Sequence, residues 1–133
     1  MQVNAIDHVN IIADDLDRTI GFYEGLLGLK RGEPPGMAMG SRGAWLFDAA
    51  GNAIVHLARN DPARDFGADH VVGAVTGAIH HVAFRCEGYA EAVERLEAMG
   101  AEYRTSGVAR AGVRQIFVRD PNNINLELNF REE

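Results

Sequence analysis

Hydrophobic positions along the chain change period twice. "AIDHVNII" alternates apolar and polar letters from Ala5, which predicts a strand. Asp14 and Asp15 then offer helix N-caps, and Leu16, Ile20, Tyr23 and Leu27 recur at helical spacing up to Gly28, a helix stop. The same order returns later. "AIHHVAFR" alternates, then Tyr89, Val93, Leu96 and Met99 mark the apolar face of a second helix that Gly100 ends. Short strands follow each helix: "KRG", "AWLFDA" and "AIVHLAR" in the first half, "AEYRT", "VRQIFVRD" and "INLELNF" in the second. Turns at "AGN" and "PNN" separate the last two strands of each half.

The repetition extends to spelling. "AIDHV" at residues 5–9 and "AIHHV" at residues 78–82 share four of five letters. Ile20 and Tyr23 match Val93 and Leu96 at the same offset. Both halves therefore read β-α-β-β-β. The expected fold is α+β: two tandem βαβββ modules forming curved mixed sheets, with helices outside and a metal site on the concave face. One domain is expected over residues 1–133, with modules at 3–59 and 78–131 joined by a linker at 60–77. The Gly/Pro-rich stretch 31–43 reads as a loop able to act as a lid.

Strand parity selects what faces inward, because alternate residues of a strand point to opposite faces. In the last strand Ile124, Leu126, Leu128 and Phe130 form an apolar face, and Asn123, Asn125, Glu127 and Asn129 form a polar one. In the corresponding strand of the first half, His56 takes the polar side between Val55 and Leu57. In the two first strands, His8 with Asn10, and His81 with Ala83 and Arg85, lie opposite the apolar letters. His8 matches His81, and His56 matches Glu127. Three imidazoles and one carboxylate at equivalent strand positions suit a divalent transition metal: zinc, nickel, manganese, cobalt or iron. Asp7 and His80 fall on the other parity and are read as outside the site. His70 falls in the linker and is read as solvated. Cys86, at a strand end, is read as a small hydrophobe.

Composition narrows the setting. The single cysteine excludes an internal disulfide, and no apolar run has membrane-spanning length, so a cytoplasmic location is expected. The net charge of −6 argues against nucleic acid and anionic membranes as partners.

Together, "DHVNIIADDLDRTIGFYEGLLGLK", "IHHVAFR" and "FVRDPNNINLEL" resemble the vicinal oxygen chelate superfamily over nearly the whole chain. That superfamily includes glyoxalase I, fosfomycin-resistance proteins and extradiol dioxygenases. The resemblance places metal ligands on the first, fourth, fifth and eighth strands, hence at His8, His56, His81 and Glu127. It implies a glyoxalase-like lyase or isomerase acting on a small oxygenated substrate, with Glu127 also as catalytic base. Asn10, Trp45 and Arg85 are the expected substrate contacts, Trp45 as an apolar wall. A homodimer is implied, with sites formed within one chain or between two. Two other activities stay open: an Fe(II) extradiol dioxygenase, and a fosfomycin- or bleomycin-resistance-like protein that modifies or sequesters a drug. Glyoxalase I usually carries a carboxylate where this chain has His56, so lactoylglutathione lyase activity is not expected.

Overall fold

The computed structural model describes residues 1–33, 38, 40–63, 75–106 and 112–131. His70, most of the expected linker and part of the expected lid lie outside the described residues. The chain divides into two compact units, Met1–Val72 and Gly73–Glu133. The first contains β1 (Val9–Ala13), α1 (Leu16–Leu27), β2 (Lys30–Gly32), β3 (Gly43–Phe47) and β4 (Ala53–Arg59). The second contains β5 (Val82–Cys86), α2 (Tyr89–Ala98), β6 (Tyr103–Ser106), β7 (Val113–Arg119) and β8 (Asn125–Arg131).

The two units repeat one topology. The first sheet has the order β1-β4-β3-β2 and the second β5-β8-β7-β6. In each, the strand before the helix runs parallel to the last strand, and the other pairings are antiparallel. The helix supplies the crossover that a parallel pair needs.

Local chemistry explains the helix ends. The Asp15 carboxylate accepts the Arg18 backbone N–H at 2.9 Å and caps α1. Gly28 closes α1 at φ 65°, a left-handed conformation that glycine adopts without Cβ strain. Leu16, Ile20, Tyr23 and Leu26 of α1 are buried, as are Leu46, Val55 and Leu57 of the sheet. In the second unit, Leu96 of α2 and Ile116, Leu126 and Leu128 of the sheet are at most 1% exposed. Burying each such side chain contributes roughly 1.5–3 kcal/mol. The expected apolar face of α2 shifts at its end. Met99 stands outside the helix and is 41% exposed, while Ala92 takes the buried position.

Equivalent aspartates close the hairpins that lead into β4 and β8. Asp48 Oδ1 accepts the backbone N–H groups of Ala50 and Asn52, and Asp120 Oδ1 those of Asn122 and Ile124. The side-chain amide of Asn52, more than any other group, holds the Asp48 carboxyl below its ordinary pKa. The left-handed turn position is Gly51 in one hairpin and Asn123, at φ 65°, in the other. Asparagine is one of the few side chains that tolerate that conformation.

Cys86 ends β5 partly buried, and burial pushes its thiol up to about 11. The charged thiolate is the form that desolvation penalises, so the thiol stays protonated well above neutrality. Labelling by a thiol-disulfide reagent at pH 8 is expected to run about 100-fold slower than for a free cysteine and to accelerate as pH approaches the raised value. Rapid stoichiometric labelling at pH 8 would show that the thiol is not shielded.

Candidate metal centre

In the first sheet, Asn10, His56 and Trp45 form one row across β1, β4 and β3. The Trp45 indole stacks on the His56 imidazole, with centroids 4.4 Å apart and planes 2° from parallel. His8 meets Trp45 edge-on at 4.8 Å, and its ring centroid lies 6.3 Å from that of His56. Trp45 is therefore less a wall than a support. It is 9% exposed, and its Nε1 has no hydrogen-bond partner among the described residues.

Each imidazole of this pair is held at its Nδ1. His8 Nδ1 lies 2.6 Å from Asp7 Oδ2, the arrangement in which an Nδ1–H donates to a carboxylate. That tautomer leaves the Nε2 lone pair free for a cation. His56 Nδ1 lies 2.6 Å from the Asn10 side-chain amide, and His56 Nε2 is shut off from solvent. An amide can offer either its NH₂ or its oxygen to that nitrogen, so rotation of the Asn10 amide selects the His56 tautomer.

In the second sheet the equivalent row is Ala83, Glu127 and Phe117. Glu127 Oε1 accepts hydrogen bonds from Gln115 Nε2 at 2.8 Å and Asn129 Nδ2 at 3.0 Å. Its Oε2 lies 3.3 Å from His81 Nε2. Two amides thus anchor one oxygen and leave the other toward the histidine. His81 Nδ1 in turn lies 3.0 Å from His80 Nδ1. Asn125 Nδ2 donates to the His80 carbonyl at 2.9 Å and fixes the approach to β5.

The expected ligands therefore come as two pairs, His8 with His56 and His81 with Glu127, one pair in each unit. Among the described residues no group of three or more His, Cys, Asp or Glu side chains forms a metal cluster. Parity mispredicts one detail. His8 and His81 do not belong to strands: β1 begins at Val9 and β5 at Val82, so each histidine stands one residue ahead. Outside the ladder, strand parity no longer separates neighbours. Asp7 and His80, read as outside the site, contact the adjacent candidate histidines His8 and His81. Gln115 was also missed, although the alternation of β7 places it opposite Ile116 and Val118 and so on the Glu127 face.

Each pair presents donor types that suit a divalent ion: in the first unit two imidazoles with their Nδ1 atoms engaged, in the second an imidazole beside a carboxylate braced by amides, the support that metal-binding side chains need.

A duplicated βαβββ fold with histidine and carboxylate at equivalent strand positions defines a family of paired-module proteins. The chain belongs to the Glyoxalase/Bleomycin resistance protein/Dioxygenase superfamily, whose profile matches residues 5–128. Among curated proteins it is similar to Glyoxylase I 4 of Arabidopsis thaliana, at 26% identity over 96% of this chain and 71% of that protein. Among solved structures it is similar to a glyoxylase/bleomycin resistance protein/dioxygenase domain from Frankia sp. EAN1pec. That match has TM-score 0.70 and 22% identity over 99% of this chain and 95% of the other. It is also similar to a mutant of the fosfomycin resistance protein FosX of Listeria monocytogenes, complexed with Mn(II) and 1S,2S-dihydroxypropylphosphonic acid. Here the TM-score is 0.64, with 19% identity over 96% of this chain and 90% of the other.

Proposed function

We propose that the chain is a divalent-metal-dependent, glyoxalase-like lyase or isomerase that acts on a small oxygenated organic substrate. The observation that carries this reading is the bracing of the donors. Asp7 holds His8, Asn10 and Trp45 hold His56, and Gln115 and Asn129 hold Glu127. The Mn(II) held by the FosX mutant supports a divalent ion as the cofactor. When bound, such an ion would polarise a substrate oxygen and acidify the neighbouring C–H.

The chain's own residues supply the rest. Glu127 Oε1 is saturated by two amides, so Oε2 is the oxygen that would hold the ion, and it would accept a proton from substrate only when released from it. Asn10 sets the His56 tautomer and, on the same row, offers its amide to substrate. A set of four donors leaves two positions on a six-coordinate ion. That suits a bidentate substrate better than an extradiol reaction, which needs three.

Elemental analysis of protein purified without a metal-affinity tag is expected to find one divalent transition metal per complete donor set. A chain that arrives metal-free and takes up none of zinc, nickel, manganese, cobalt or iron would overturn the enzyme reading in favour of drug sequestration. Oxygen uptake on catechols by the ferrous form would overturn it in favour of the dioxygenase.

A further inference from the structure

One row of the second sheet differs in character from its counterpart in the first. Arg85, Asn129 and Gln115 lie in register across β5, β8 and β7, next to the Glu127 row on the same face. The equivalent positions of the first sheet hold Ile12, Ala58 and Gly43. The two modules keep the donor row and diverge at the next one. In the second unit that row becomes a polar floor.

Above this floor is an open cavity of about 510 Å³, lined by Arg85, Arg131, Gln115, Asn129, Val113 and Phe84 among others. The volume lies in the range of small-molecule sites. The two arginines stand apart from the others described in this unit. Arg95 pairs with Glu91, Arg104 lies over the Phe117 ring, Arg114 over the Tyr89 ring, and Arg119 donates to Asn123. Among the described residues, neither the Arg85 nor the Arg131 guanidinium makes an ion pair or a side-chain hydrogen bond. In a chain of net charge −6, both of these guanidiniums line one cavity.

We propose that this cavity binds the anionic end of an elongated substrate, a carboxylate or a phosphoryl-type group, through Arg85 and Arg131. A guanidinium fork matches both groups and forms charge-assisted hydrogen bonds to either. Asn129 stands two residues beyond Glu127 on the same strand face, beside Arg85, and Arg131 stands four beyond. At a strand rise of about 3.3 Å per residue, the anion would sit roughly 7–13 Å from Glu127. The substrate is then extended: an oxygenated end reaches Glu127 while a charged end lies on the arginines. Its role as substrate rests on the functional reading above, but the anion site itself needs no metal.

The test is calorimetry on the metal-free full chain at low salt, titrated with glutarate and separately with propylphosphonate. Saturable binding of at least one is expected, and the tighter of the two identifies carboxylate or phosphoryl chemistry. Arg85→Gln and Arg131→Gln should each weaken it about tenfold, the loss of one charge-assisted contact, with circular dichroism confirming the fold. Arg119→Gln, outside the cavity, should leave it unchanged. Absence of binding by the wild-type chain, or equal weakening by Arg119→Gln, overturns the pocket. Metal uptake is measured on the same preparations. A chain that takes up metal but no anion refutes the pocket alone, and a chain that binds anion but no metal refutes the functional reading alone.

Discussion

Glu127→Ala is expected to fold normally and to lose its metal. Its side chain is 16% exposed and lies on the face opposite the apolar core of β8, so its removal opens no cavity among core residues. The loss falls instead on the donor set. Of the proposed donors only the three imidazoles remain, with no carboxylate to offset the charge of the ion. The amides of Gln115 and Asn129 also lose the oxygen they brace. Residues that merely support ligands cost about 10–100-fold in affinity or activity when replaced, and a direct donor costs more. Metal content after dialysis should fall to near zero and turnover by more than about 100-fold, while thermal unfolding of the metal-free protein stays within a few degrees of wild type. A Glu127→Ala protein that retains a full complement of ion would remove Glu127 from the donor set.

Leu128→Ala, one position along, is expected to do the reverse. Leu128 is 1% exposed and lies in register between Phe84 of β5 and Ile116 of β7. Truncating a buried leucine costs about 2–5 kcal/mol, from lost transfer free energy and the cavity left behind. Against a typical stability of about 5–15 kcal/mol, that is a large fraction. The urea midpoint should drop at an unchanged slope, and metal stoichiometry of the remaining folded protein should hold. A loss below about 1 kcal/mol would mean that this interior refills the space.

The contrast between these neighbours explains why so much was legible in the sequence. Where a strand lies within its ladder, the period of two assigns every residue to a face. Val55 and Leu57 against His56, and Leu126 and Leu128 against Glu127, were sorted correctly on that basis. The capping Asp15 and the left-handed Gly28 were equally readable, because each meets a need of the local backbone. What failed was the assumption that the pentapeptides are strands. Most of each precedes its strand, where side-chain direction depends on particular partners such as Asp7 or Asn125 rather than on alternation. Arg131, a residue of the proposed anion site, carries no signal in the sequence, because an arginine at the end of a strand reads as solvated until the row beside it is seen to differ from its counterpart.

The aspartate turns at Asp48 and Asp120 limit how the chain can be edited. A slip of one residue in either following strand would exchange His56 with Leu57, or Glu127 with Leu128, and send an ionisable group into the core. By holding the backbone two and four residues ahead, each carboxylate fixes the turn from which the strand carrying His56 or Glu127 departs. The count differs by one between the modules, eight residues from Asp48 to His56 and seven from Asp120 to Glu127, and the register shift at Leu46/Phe47 in the first hairpin absorbs the extra residue. An insertion at either turn is therefore tolerated only where a bulge restores the parity that keeps His56 or Glu127 off the core face.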